Sequence, residues 1–108
     1  MVPRFHARSI GEVDIFEIQG LFVEPWVQRI KGEMARTLEE GGGSGLLFNV
    51  REVEKVDRSG AEAVLETLRS RSKGGILGHN LSAYFIAEHM SPQEPIPIFQ
   101  SEREAIGY

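Results

Sequence analysis

The sequence has 108 residues, a length that suits one domain with a single hydrophobic core. With 41% hydrophobic and 26% charged residues, it is typical of a folded globular chain and not of a disordered one. The formal net charge of -4 and the lack of a Lys/Arg cluster argue against direct binding of nucleic acid or of an anionic membrane surface. The absence of cysteine excludes disulfide bonds and thiolate chemistry and is compatible with a reducing compartment.

Targeting and cofactor motifs are also missing from the sequence. The N-terminal stretch MVPRFHARSI has no apolar core of the signal-peptide kind, and no apolar run is long enough to cross a membrane, so we predict a cytoplasmic protein. The stretch GGGSG at 41–45 lacks the Lys and Ser/Thr of a P-loop and precedes a strand. The histidines His6, His79 and His89 lack the paired spacing of metal ligands, and we predict neither a metal nor a cofactor.

The first third of the chain predicts two strands and a helix. The stretch PRFHARSIGEVDIFEIQG is typical of two strands joined near Gly11, and the second strand, 13–18, is apolar on both faces and therefore predicted to be interior. Residues 24–40 are predicted to form a helix, with Pro25 at its first position and Gly41 at its end. Its apolar residues recur every three or four positions: Val27, Ile30, Met34 and Leu38.

The middle of the chain continues the alternation. The apolar run LLFNV indicates a buried strand, and a second helix is predicted from Ala61 until the glycines Gly74 and Gly75. A short strand at 76–78 follows. A third helix is predicted to begin at Asn80 or Ser82.

The last segment predicts a proline-rich connection, SPQEPIP, and a final strand and helix. Pro97 restricts the strand to a sheet edge because it cannot donate a ladder hydrogen bond, and Ser101 and Glu104 have capping-box spacing. The predicted order is β-β-α-β-α-β-α-β-α. This order indicates a single α/β domain with a mostly parallel sheet of about four to five strands and flanking helices.

Ser59, within KVDRSGAEAV at 55–64, has two interpretations. Ser59 and Glu62 have the spacing of a capping box, in which the serine only starts the second helix. Alternatively, Ser59 follows a parallel strand, at the sheet edge where open α/β folds bind their ligands, and Gly60 leaves room for a second molecule. A phosphate there would add about -1.5 to -2 charges at a helix N-terminus, close to the carboxylates of Asp57 and Glu62.

The stretch LLFNVREVEKVDRSGAEAVLETL resembles the central segment of the STAS domain, the family of bacterial anti-sigma factor antagonists. The hallmark of that family is a strand followed by D-x-S-G and an apolar helix. The ending IPIFQSEREAI is similar to the last strand and helix of the family, so the resemblance covers nearly the entire chain.

The resemblance implies a small switch protein that binds an anti-sigma factor, commonly one with serine kinase activity, and so releases a sigma factor. It places the phosphoacceptor at Ser59, with a phosphoserine phosphatase reversing the modification. Arg58 stands where the family often has Ser or Thr, so a second modifiable hydroxyl is missing. Asp57 either holds the hydroxyl and contacts the partner or is simply an acid favoured near a helix start. The predicted partner-binding residues are Asp57, Arg58, Ser59, Gly60, Glu62, His79 and Asn80.

Other functions remain open. A second hypothesis within the fold is a STAS component of a larger sensory or transport complex, in which the domain is a scaffold or binds a nucleotide or a lipid-derived ligand. Nothing in the sequence names that ligand. A serine hydrolase would need a base for Ser59, for which His79 is the only obvious candidate, but the G-x-S-x-G elbow is missing. We therefore predict no enzymatic activity. Phe22 and Trp26, at the entry to the first helix, are either core residues, which we favour, or interface anchors.

Overall fold

The computed structural model describes residues 2–40, 42–90 and 96–106. Its elements follow the predicted order, which is thereby confirmed together with the α/β fold class. The strands and helices are β1 (Arg4–Ile10), β2 (Val13–Phe22), α1 (Trp26–Glu39), β3 (Gly45–Val56), α2 (Arg58–Leu68), β4 (Lys73–Leu77), α3 (Leu81–Glu88), β5 (Ile98–Phe99) and α4 (Glu102–Ile106).

The five strands form one sheet in the order β1-β2-β3-β4-β5. Strands β1 and β2 pair antiparallel through a tight hairpin, in which Ile10 lies opposite Val13 and Gly11 adopts a φ of 59°. That positive φ is favourable for glycine, so the predicted turn is confirmed. The other neighbouring strands pair in parallel. Strand β2 therefore lies inside the sheet, as predicted.

The two faces of the sheet carry separate apolar clusters. One face packs against α1, α2 and α3 around buried side chains that include Phe16, Phe22 and Phe48. The opposite face holds a smaller cluster, which Ala105 of α4 contacts: Ile15, Leu47, Leu77 and Phe99. Because alternate residues of a strand point to opposite faces, β2 and β3 contribute to both clusters. The main core thus lies beneath the helices that carry the candidate site.

Strand β3 is longer than its neighbour β4. Their last paired residues are Asn49 and Leu77, whereas β3 continues to Val56, which pairs with Phe22 of β2. Beyond the end of β4, the first turn of α3 lies beside the remaining part of β3. There Asn80 Nδ2 donates to the carbonyls of Val50 (2.9 Å) and Val53 (3.2 Å), and Ser82 Oγ donates to the carbonyl of Val53 (3.0 Å). The start of α3 is therefore fixed against the end of β3.

Several predicted element boundaries were wrong. Helix α2 begins at Arg58, ahead of the predicted Ala61, and ends at Leu68. Gly74 and Gly75 lie within β4 and do not end the helix; a side chain on Gly75 would lie 2.7 Å from the Phe99 ring. The absence of side chains at these two glycines therefore allows neighbouring residues to pack closely against β4.

At the start of α1, Pro25 was predicted to be the first helical residue but is the N-cap, one position ahead of the first helical residue, Trp26. The predicted end of α1 at Gly41, and residues 91–95 of the proline-rich connection, lie outside the described residues.

The remaining predictions at the C-terminal end were correct. Asn80 is the N-cap of α3, with its Oδ1 accepting from the Ala83 N–H, and β5 after Pro97 is an edge strand. The Ser101 hydroxyl accepts from the Glu104 N–H, which is half of the predicted capping box. Among the described segments, none of the helices is both long and apolar enough to cross a membrane.

Candidate functional site

The candidate site lies where β2 and β3 end side by side. Phe22 and Val56, the last residues of these parallel strands, are paired, so the chain leaves both strands at the same edge of the sheet. Glu24 follows β2, and Asp57 and Ser59 follow β3. We call Glu24, Asp57, Ser59 and Gly60 the Ser59 site.

Asp57 is the residue that caps α2. Its backbone is extended (φ -101°, ψ -177°), and its Oδ1 accepts from the Gly60 N–H at 2.9 Å. Its Oδ2 accepts from the Glu24 N–H at 3.0 Å, which ties the loop after β2 to the start of α2. The interpretation of Ser59 as the N-cap was therefore wrong, because Ser59 lies within the first turn of the helix. An N-cap of this kind stabilises a helix by about 1 kcal/mol.

The Ser59 hydroxyl is positioned by a second acid. Ser59 Oγ donates to Glu24 Oε2 at 3.1 Å, and the same carboxylate oxygen accepts from Gln28 Nε2 at 2.9 Å. Ser59 is partly exposed and Glu24 is exposed. The hydroxyl is therefore held in one direction but still reachable from solvent, as a modification site requires.

Gly60 has a packing role in this arrangement. It is buried, and a Cβ atom added to it would lie 2.5 Å from the carbonyl oxygen of Phe22 and 2.8 Å from Val56 Cγ2. The missing side chain thus lets the first turn of α2 lie directly against the end of β2. The expectation that Gly60 leaves room for a second molecule does not agree with its burial.

Arg58 and Glu62 form an exposed ion pair beside the site. Arg58 Nε lies 3.0 Å from Glu62 Oε1, one helical turn further along, and the two side chains are 81% and 52% exposed. Glu62 therefore pairs with Arg58 and does not complete a capping box with Ser59. Such exposed pairs contribute little to stability, so both side chains are available to a partner.

His79 and Asn80 belong to a neighbouring region. The Asn80 side chain is used to cap α3 and to bind the carbonyls of β3, and the exposed His79 ring contacts the Tyr84 hydroxyl, with Nδ1 3.3 Å from it. Within the described part of the chain, no hydrogen bond joins either residue to Ser59. A histidine base for a serine hydrolase is therefore not in place, since the hydroxyl donates to Glu24.

The two aromatic residues before α1 differ in their environments. Phe22 is fully buried in the main core, as predicted. Trp26 is only partly buried, and the Arg29 guanidinium lies 5.3 Å from its ring centroid, within the range of a cation–π contact. Trp26 thus remains partly exposed in the helix that follows Glu24.

The contact between Ser59 and Glu24 predicts an energetic coupling between the two positions. Ser59→Asp places a second carboxylate next to that of Glu24, and like charges at this separation in an exposed site repel by about 1 kcal/mol. The destabilising effect of Ser59→Asp should therefore be about 0.5–1 kcal/mol smaller in a Glu24→Gln background. Urea unfolding of the four proteins of this double-mutant cycle measures the coupling. Added salt should reduce it, whereas a coupling of zero at low salt would contradict the contact.

Comparison with known proteins identifies the fold through structure and not through sequence. No family model matches the chain, and no curated protein matches it. An anti-sigma factor antagonist from Mycobacterium paratuberculosis superposes with a TM-score of 0.81 at 10% identity, covering 97% of this chain and 92% of that one. The Bacillus cell fate determinant SpoIIAA in its phosphorylated form gives a TM-score of 0.72 at 18% identity, covering 96% and 97%.

The anti-sigma factor antagonist SpoIIAA in its unphosphorylated form gives a similar result, with a TM-score of 0.71 at 17% identity and 96% of each chain covered. At these identities the likeness shows the fold. The chain therefore has the STAS-like fold of anti-sigma factor antagonists, as its sequence resemblance implied.

Proposed function

We propose that this chain is a cytoplasmic anti-sigma factor antagonist whose binding is switched by phosphorylation of Ser59. The observation that carries the proposal is the Ser59 hydroxyl, partly exposed in the first turn of α2 and held by Glu24. The partner is an anti-sigma factor with serine kinase activity, and a phosphoserine phosphatase reverses the modification. Structures of SpoIIAA, which shares the fold, are described in phosphorylated and unphosphorylated forms.

The physical basis of the switch is a change in the Ser59 side chain from a neutral hydrogen-bond donor to a negatively charged acceptor. The unmodified hydroxyl is a neutral donor with Glu24 as its acceptor. A phosphate would remove that donor hydrogen and add about -1.5 to -2 charges next to the carboxylates of Glu24 and Asp57. The N-terminus of α2 offsets part of this repulsion inside the domain. A partner surface fitted to the hydroxyl would instead meet concentrated negative charge, and binding would weaken by repulsion and desolvation.

Variants of Ser59 test the switch. Ser59→Asp should lower affinity for the anti-sigma factor by about tenfold or more, because it places charge in the interface. Ser59→Ala should bind but take up no phosphate. The partner is captured from the native cell on the immobilised wild-type chain, its affinity for each variant is measured, and mass spectrometry locates the modified hydroxyl.

The control for this experiment is Ser101→Asp. Ser101 is another serine at the start of a helix and is exposed, but it caps α4, which packs on the opposite face of the sheet. The substitution adds the same charge there and retains an N-cap residue. Wild-type affinity is expected for this control. Equal affinities of Ser59→Asp and Ser59→Ala, or phosphate found only on another residue, would exclude the switch.

A further inference from the structure

A groove runs between the end of β3 and the first two turns of α3. Its volume is about 330 Å³, and we call it the α3 groove. Its lining residues come from β3 and from α3: Glu54, Lys55, Val56, Leu81, Ser82, Tyr84, Phe85 and Glu88. Neither the capping of α2 nor the Ser59 contact with Glu24 involves these side chains.

Exposed apolar side chains form one wall of the α3 groove. Leu81 is 87% exposed, the highest value for a large apolar side chain among the described residues, and Tyr84 is 46% exposed. This exposure is imposed by the fold, because Asn80 and Ser82, on either side of Leu81, both hydrogen-bond to carbonyls of β3. Leu81 is thereby directed away from its own domain. Exposed apolar groups of this kind beside a groove are typical of a protein interaction site.

The charges at the groove define the chemistry of a partner. Glu54, Lys55 and Glu88 are all exposed, which gives two carboxylates against one ammonium group. In the described part of the chain, none of the ion pairs includes Glu54 or Glu88. A segment that carries a large apolar side chain flanked by Lys or Arg therefore complements the groove in both polarity and charge.

The α3 groove is continuous with the Ser59 site along the chain. Val56 lines the groove and is followed directly by Asp57, the cap of α2, and then by Ser59 within its first turn. Leu81 follows Asn80, which is bonded to the same end of β3, so a protein that covers Ser59 and the end of β3 can also contact Leu81. The two regions together present a polar switch beside an apolar anchoring position, and anchors of this kind dominate the affinity of many interfaces.

We propose that the α3 groove docks a basic amphipathic helix of the same partner that covers Ser59. The inference rests on the proposed function for the identity of the partner but not for the chemistry of the groove. Apolar residues of the helix pack on Leu81 and Tyr84, while its Lys or Arg residues pair with Glu54 and Glu88. The groove supplies affinity that does not depend on phosphorylation, and Ser59 supplies the switch.

The experiment uses a synthetic peptide of leucine and lysine, about fifteen residues long and so about four helical turns. Titration into the isotope-labelled chain, followed by NMR, should shift the amide signals of Leu81, Tyr84 and Glu54 first. Leu81→Ser should weaken peptide binding by about tenfold. Ile10→Ser is the matched control, because Ile10 is another exposed apolar residue but lies in the β1–β2 hairpin. It should bind like wild type, and thermal unfolding verifies that both variants fold.

Further arms separate the alternatives. Glu88→Lys should weaken binding of the leucine–lysine peptide, and a peptide of leucine and glutamate should not bind to the wild-type chain. Ser59→Asp should leave peptide binding unchanged, so a failure of the phosphorylation switch and a failure of the groove are distinguishable. Shifts located elsewhere, equal losses for Leu81→Ser and Ile10→Ser, or equal binding of the acidic peptide would overturn the proposal. Self-association through Leu81, seen by sedimentation, would overturn it as well, because the occupant would then be a second copy.

Discussion

Replacing Gly60 with alanine is expected to lower the free energy of unfolding by about 2–3 kcal/mol. The added Cβ would lie 2.5 Å from the Phe22 carbonyl oxygen and 2.8 Å from Val56 Cγ2. The carbonyl belongs to β2 and cannot move without disturbing the sheet, so the first turn of α2 has to shift. That shift would also weaken the cap hydrogen bond from the Gly60 N–H to Asp57.

The matched control is Gly32→Ala, in the middle of α1. Gly32 is exposed, and a Cβ atom added there would have nothing within 4 Å. Because alanine favours a helix interior more than glycine does, this variant should gain about 0.5–1 kcal/mol. Urea unfolding measures both changes. The same sign for the two substitutions would show that Gly60 is not in close contact with β2.

The order of elements could be predicted from the sequence because it depends on the local spacing at which apolar residues recur along the chain. The alternation of strand and helix patterns reproduces all nine elements found among the described residues. The boundaries around Ser59 could not be predicted in the same way. Asp57 and Ser59 are both favoured N-cap types, and the spacing of Ser59 and Glu62 suits a capping box as well. The length of β3 decides between them, since the strand pairs with β2 as far as Val56 and leaves Asp57 to start the helix.

Glu24 is the site residue that the sequence did not reveal. It lies 35 residues from Ser59, and no spacing rule connects the two. Their contact depends on the register of β2 against β3, which shifts between Glu17 and Gln19 and again between Gly20 and Leu21. Such irregularities depend on packing across the whole sheet. The sequence could indicate that both strands end at one edge, but not which side chains meet there.

Replacing Arg71 with methionine is expected to lower the free energy of unfolding by about 2–3 kcal/mol. Arg71 Nη1 donates to Asp14 Oδ2 (2.8 Å) and to the carbonyls of Gly43 (2.7 Å) and Gly45 (3.2 Å), at the end of the sheet away from Ser59. Only 11% of the Arg71 side chain and 12% of the Asp14 side chain are exposed. Methionine would fill similar space but leave the carboxylate without a counter-charge in a mostly buried position.

The exposed pair of Arg58 and Glu62 provides the matched control for this effect. Arg58→Met also removes a guanidinium that pairs with a carboxylate, but the Arg58 and Glu62 side chains are 81% and 52% exposed. The loss there should stay below about 0.5–1 kcal/mol, because water replaces the lost interaction. Urea unfolding of both variants in one buffer compares the two sites. Similar losses would mean that burial does not strengthen the Arg71 pair.

Asp14→Asn tests the pH dependence of the same interaction. Burial raises the pKa of the Asp14 carboxyl, but hydrogen bonds from Ser9, Arg71 and Gly43 and the charge of Arg71 outweigh burial and hold the pKa below its ordinary value. A carboxylate with a lowered folded pKa contributes stability that is fully present above the unfolded pKa and is lost as the pH falls through the folded pKa. The stability difference between wild type and Asp14→Asn should therefore be largest near neutral pH and shrink below about pH 4. Urea unfolding over a pH series measures it, and a difference that grows on acidification would show that the ionised carboxylate is not the stabilising form.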